Sequence, residues 1–122
     1  MTHGQEDIVD VLDIKAFVPS KDYEVSKSFY SEIGFESEYV SEDLTLFQNG
    51  DCFFFLQRFF NEGLATNFML QVCVSDIASA YSLCSQSKHK TKITPIQKES
   101  WGKVFYLWGP VGELLHITEL GC

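Results

Sequence analysis

The chain repeats itself, and the repeat limits what it can fold into. Asp22 and Asp76 lie 54 positions apart, and each opens a helix-like stretch directly after a strand-like one. At that offset "SKDYEVSKSFY" and "VSDIASAYSLC" superpose without a gap. A unit used twice predicts two like supersecondary pieces that bury their apolar faces against each other.

Each unit can be read along the chain. "VLDIKAFV" (11–18) is β-branched enough for a strand and stops before Pro19, which cannot continue a central ladder. Val25, Phe29 and Ile33 then recur at helical spacing, with Tyr30 beside them and Gly34 as the stop. "FESEYV", "LTLFQNG" and "DCFFFLQRFF" read as three strands. "NGD" (49–51) is expected to turn between the last two, with positive φ at both Asn49 and Gly50. The second unit has a strand "NFMLQVCV" (67–74) and a helix "SDIASAYSLCSQS" (75–87) with a Ser/Asp cap. Strands "KITPIQK", "GKVFYLW" and "ELLHITEL" follow, the last two parted by "GPVG". The reading is an α+β chain with a tail at 1–10 and one domain at 11–120. That domain holds a β-α-β-β-β module at 11–60, a linker at 61–66 and a second such module at 67–120.

Composition removes several function classes. The formal charge is −8 and Arg58 is the single arginine. Nucleic-acid binding draws most of its affinity from a basic stripe, so no nucleic acid is expected as a partner, nor an anionic lipid surface. No apolar run approaches the roughly 18 residues of a spanning helix. The start, "MTHGQEDIVD", is acidic where an export leader would be basic and apolar, and the expected location is the cytoplasm. The four cysteines form no C-x-x-C pair. Cys52, Cys73 and Cys84 fall in apolar segments and read as buried, reduced thiols, with Cys122 free at the terminus. Eleven Phe, five Tyr and two Trp exceed what one small core needs, so some should line a cavity or an interface. "SKHKTK" (87–92) reads as a solvated loop, and His3 and His89 carry no assignable chemistry.

The paired modules, the helix ending "FYSEIGF" and the closing "GPVGELLHI" together resemble the vicinal oxygen chelate superfamily of glyoxalases, extradiol dioxygenases and bleomycin-resistance proteins. The resemblance spans about residues 11–120. It implies an incomplete barrel around a cleft, with the helices outside. Enzymatic relatives hold a metal there with His, Gln or Glu on the first and last strands of each module. Counting back seven from each helix-opening aspartate gives Lys15 and Met69 at the first-strand positions. Counting four on from the closing glycines gives His116 and, by analogy from Gly50, Phe54, with Gln57 if the register slips. An ammonium and a phenyl ring are not ligands, and a thioether and one imidazole do not hold a hard or borderline ion. The pattern is closest to metal-free bleomycin-resistance-like members, so neither metal nor cofactor is expected.

Strand alternation then assigns the cleft. Lys15 and Phe17 face inward with Asp13. Met69 and Gln71 do so with Cys73, and His116 with Leu114 and Thr118. Phe54 and Leu56 are expected inward, with Phe53 and Phe55 against the helix, and Tyr106 and Trp108 inward on the seventh strand. His116 is either a hydrogen-bonding or proton-transferring group in the cleft or a packed core histidine. Lys15 is either an anchor for an anionic group or half of an internal pair with Asp13. Trp101 and Trp108 would stack on a ligand or pack an interface. The expected function is sequestration or carriage of an aromatic or amphipathic small molecule, a cationic one included, in the manner of an antibiotic-resistance protein, with a homodimer completing the clefts. The alternative is a metal-dependent lyase, isomerase or dioxygenase with an atypical site.

Overall fold

In the computed structural model, residues 9–121 are described; His3 and Cys122 lie outside them, as does most of the N-terminal tail. The first module comprises β1 (Phe17–Val18), α1 (Tyr23–Glu32), β2 (Glu36–Ser41), β3 (Leu44–Asn49) and β4 (Cys52–Gln57). A short α2 (Glu62–Asn67) leads into the second: β5 (Met69–Cys73), α3 (Ile77–Ser85), β6 (Lys92–Ile93), β7 (Gln97–Glu99), β8 (Gly102–Trp108) and β9 (Leu114–Leu120). The sheet orders are β1-β4-β3-β2 and β5-β9-β8-β6, with β7 also paired to β8. In both sheets the first strand runs parallel beside the last. The sequence repeat is therefore a repeat of topology.

Local chemistry sets the element ends. Asp22 accepts a hydrogen bond from the Val25 amide, and Asp76 accepts from Ala78 and Ser79, so each aspartate satisfies donors that the first helical turn leaves free. Gly34, at φ 107°, lets the chain leave α1 in a left-handed conformation. The hairpin between β3 and β4 turns on Gly50 and Asp51, because Asn49 still pairs with Cys52. Only Gly50 takes positive φ there, which corrects the expectation for Asn49. Its amide instead reaches the Gly34 carbonyl at 3.0 Å.

Three further expectations change. The first strand is two residues long rather than eight, with the Ala16 carbonyl just before it still accepting from the Phe55 amide at 2.9 Å. "KITPIQK" splits into β6 and β7 around Pro95, which has no N–H to give the sheet. At the split, Thr94 satisfies Tyr106 through its hydroxyl, which accepts from the Tyr106 amide at 2.9 Å. Cys52 and Cys73 are exposed and only Cys84 is buried, all three as free thiols. Cys52 shares the face of Phe54 and Leu56 but sits at the open start of β4, and Cys73 lies on the open face of β5 with Met69 and Gln71.

The core is one continuous layer between the sheets and the helices. Val18, Phe47, Phe54 and Leu56 pack under Phe29 and Tyr30, and Phe105, Leu107, Leu115 and Ile117 lie under Ile77 and Cys84. Polar bonds tie the modules together as well. Tyr30 donates its hydroxyl proton to Glu113 at 2.8 Å. Glu32 accepts from the Ser87 hydroxyl at 2.7 Å and from the Lys88 amide at 3.1 Å, and pairs with His89 Nδ1 at 2.7 Å. The loop expected to be solvated is thus pinned to α1, and His89 has a structural partner.

Candidate functional site

Opposite the helices each sheet has an open face, and that of the second module gathers the chemistry. The register sets Gln71, His116 and Tyr106 in one row and Met69, Leu114 and Trp108 in the next. The His116 ring stands edge-to-face to Tyr106, with centroids 5.1 Å apart. Its Nε2 lies 3.5 Å from the Met69 sulfur. Tyr106 neighbours Trp108 at 6.3 Å, and the Lys92 ammonium sits 4.9 Å above the Trp108 ring. Met69 and Gln71 are exposed, and His116, Tyr106 and Trp108 are half-buried. These side chains lie on the face that alternation predicts. Thr118 does so too, but it is buried and donates to the His116 carbonyl at 3.1 Å.

On the first module's open face, Phe17 stacks on Phe55 with centroids 4.9 Å apart. The Lys15 ammonium pairs with Asp13 and lies 5.5 Å from the Phe53 ring centre. Of the two sequence readings of Lys15, the internal pair is the one present. By register Leu46 lies beside Phe55, Gln48 beside Phe53, and Glu36 and Glu38 across from Gln48 and Leu46 on the same face.

Phe54 and Leu56 are the correction. Both lie on the helix side, 6% and 0% exposed, and Phe54 packs on Tyr30 at 4.9 Å and Phe47 at 5.5 Å. Phe53 and Phe55 take the open face instead. The cause is turn length. Phe17 pairs with Phe55 as Gln71 pairs with His116, so the residue equivalent to His116 is Phe55, five beyond Gly50, whereas His116 is four beyond Gly112. The paired-strand register held this information, but four consecutive apolar residues, Phe53 to Leu56, gave the alternation no phase.

A metal site of the kind enzymatic relatives use does not fit these residues. Its equivalent positions carry Lys15, Phe55, Met69 and His116, and the lysine is engaged by Asp13. An imidazole and a thioether remain, too few and too soft for the usual ions. Among the described residues, no three His, Cys, Asp or Glu side chains gather at metal-binding distance.

Sequence reasoning missed Glu113, which is fully buried in the turn before β9. Burial pushes its carboxyl above the ordinary value, opposed by hydrogen bonds from Tyr30 and the Val111 amide. A Cβ at Gly109 would fall 2.5 Å from that carboxyl, so the turn needs glycine there. A glutamate among glycines reads as an exposed turn, and no local signal marks it otherwise.

No family model and no curated protein sequence matches the chain. Solved structures do. The bleomycin-binding protein of Streptomyces verticillus in complex with copper(II)-bleomycin superposes with a TM-score of 0.76 at 20% identity, over 93% of this chain and 100% of that one. A bleomycin resistance determinant encoded on transposon Tn5 gives 0.74 at 22% identity, over 90% and 99%. TnmS3, an antibiotic-binding protein from Streptomyces sp. CB03234, gives 0.79 at 14% identity, over 93% and 100%. The chain has the fold of the bleomycin-resistance and glyoxalase proteins. Its two open four- and five-stranded sheets are the α+β architecture that the repeat and the resemblance predict.

Proposed function

We propose that the chain is a cytoplasmic small-molecule-binding protein of the bleomycin-resistance type, holding an aromatic or amphipathic guest against its open sheet faces without a metal of its own. The observation that carries the reading is the group formed by His116, Tyr106, Trp108 and Met69. It combines ring surface, polarisable sulfur and a titratable hydrogen-bonding group in a half-buried patch, the usual make-up of a ligand site. Structures of the same fold are described as bleomycin-binding, two of them in complex with bleomycin or its copper(II) form. The −8 charge, with Glu36 and Glu38 on the first open face, suits a cationic guest.

A second copy of the chain completes the site in this reading. Val9, Val11, Leu12 and Ile14 are 81%, 66%, 92% and 86% exposed on an arm ahead of β1. The outer edge of β5 has no strand beside it among the described residues. An extended apolar arm and a free strand edge are complementary parts of a β-addition contact.

Titration calorimetry with metal-free and copper(II)-loaded bleomycin tests the proposal, alongside a thermal-shift series with Ni²⁺, Zn²⁺, Fe²⁺ and Mn²⁺. The expected result is saturable bleomycin binding, weakened at least about tenfold (about 1.4 kcal/mol) in Tyr106→Ala and His116→Ala proteins that stay folded. If His116→Ala instead loses about 3 kcal/mol of stability and no guest binds, the histidine is a packing residue. Stoichiometric metal in protein purified without chelator, with a clear thermal shift, would favour the enzyme reading.

A further inference from the structure

The sheets and helices of the two modules form a partly open cavity of about 550 Å³ at their seam, lined by none of His116, Tyr106, Trp108 and Met69. Interiors hold few voids larger than a water molecule, whose share of liquid volume is roughly 30 Å³. This volume falls instead in the range of ligand pockets, roughly 300–1,000 Å³. Leu70, Val72 and Val74 of β5 line the cleft, and Gln71 and Cys73, which share the face of Met69, border it as well, so the two regions meet at Gln71.

The lining defines a guest. Tyr30, Phe54, Cys84, Leu115 and Ile117 are buried and form the deep wall. Asn49 and Gln71 are exposed and form the rim. No lining residue is charged, so an ionic guest would lose its hydration with nothing to replace it. Cys52, Cys73 and Cys84 all border this space, and their sulfur, together with the aromatic walls, favours polarisable rings. We infer that the inter-module cavity is a second small-molecule site, taking a neutral, ring-bearing molecule with one hydrogen-bonding end directed to Asn49 and Gln71. It differs in polarity from the open faces, where Lys15, Lys92, His116, Glu36 and Glu38 stand.

The test uses N-phenyl-1-naphthylamine, a neutral probe that fluoresces in apolar surroundings, with the full chain. Saturable binding of one probe per chain is expected, with at least tenfold weaker binding in Val72→Trp. Leu83→Trp, on the more exposed wall, should give the same loss should Val72→Trp fail to fold. Because Cys84 sits on the deep wall, saturating probe should slow its alkylation at pH 9 at least fivefold, read by peptide mass spectrometry. Absence of saturable binding overturns the inference. So does binding that survives both tryptophans with Cys84 alkylated at its original rate, which would put the probe elsewhere. Binding that appears only in a Leu12→Asp/Ile14→Asp chain would show that a second copy's arm fills the cavity, and also overturns it.

Discussion

Phe54 and Phe55 are adjacent, identical in chemistry and opposite in duty. Phe54 fills the layer under α1, wedged among Tyr30, Phe35 and Phe47, while Phe55 covers Phe17 on the open face. Removing a buried ring costs its transfer free energy plus that of the cavity left behind, so Phe54→Ala should lower stability by about 3–5 kcal/mol in urea denaturation. Phe55→Ala should cost clearly less, since its ring is half-buried. The reverse order would mean that the faces of β4 are misassigned. This is where sequence reading reached its limit. Phe53 to Leu56 are all apolar, so "CFFFLQ" shows no alternation to check the count from Gly50, and the first polar marker, Gln57, comes at the strand's end. On β5 and β9 the counts from Asp76 and Gly112 set the phase, and the face assignment there matches the structure.

At the scale of elements, signals carried by a single residue were legible and those carried by pairing were not. Asp22, Asp76 and Gly34 act on their own helix ends, so both long helices could be placed from the chain alone. Pro95 was visible too, although its effect, a strand cut in two, was not drawn from it. The length of β1 depends on how far β4 offers a partner, and no local residue encodes that. Beyond that partner the arm keeps the β-branched, apolar character of a strand without a ladder. Edge strands in soluble proteins are commonly guarded by charge or proline. The edge strand β5, "MLQVC", has neither. If arm and edge meet across a two-fold, Leu12→Asp/Ile14→Asp should convert dimers to monomers in sedimentation velocity and leave the circular dichroism spectrum unchanged. A wild-type chain that is monomeric at all concentrations would remove this contact.

At the scale of the molecule, the modules share one core and are bolted by carboxylates, and these contacts were invisible in sequence because each joins residues more than fifty positions apart. The two bolts respond to pH with opposite sign. Burial raises the carboxyl of Glu113 above its ordinary 4.5, so the folded chain holds that proton more tightly than the unfolded chain. Its contribution is full at pH below 4.5 and is lost as pH rises through the folded value. For Glu32 burial also pushes upward, but hydrogen bonds from Ser87 and His89 prevail and lower it, so its contribution is present above 4.5 and lost as pH falls. Glu113→Gln should therefore remove a decline in stability toward alkaline pH, read from urea midpoints between pH 5 and 9, while the acid-side decline stays. A profile identical to wild type would show that Glu113 is not the source of that decline. The repeat itself has a further consequence. It duplicates backbone but not reagents: ammonium and phenyl occupy one half's equivalent positions, imidazole and thioether the other's. A chain rebuilt with its halves in reverse order would carry each reagent along with its own module, so a permuted protein should greet a visitor with the same contacts as the original.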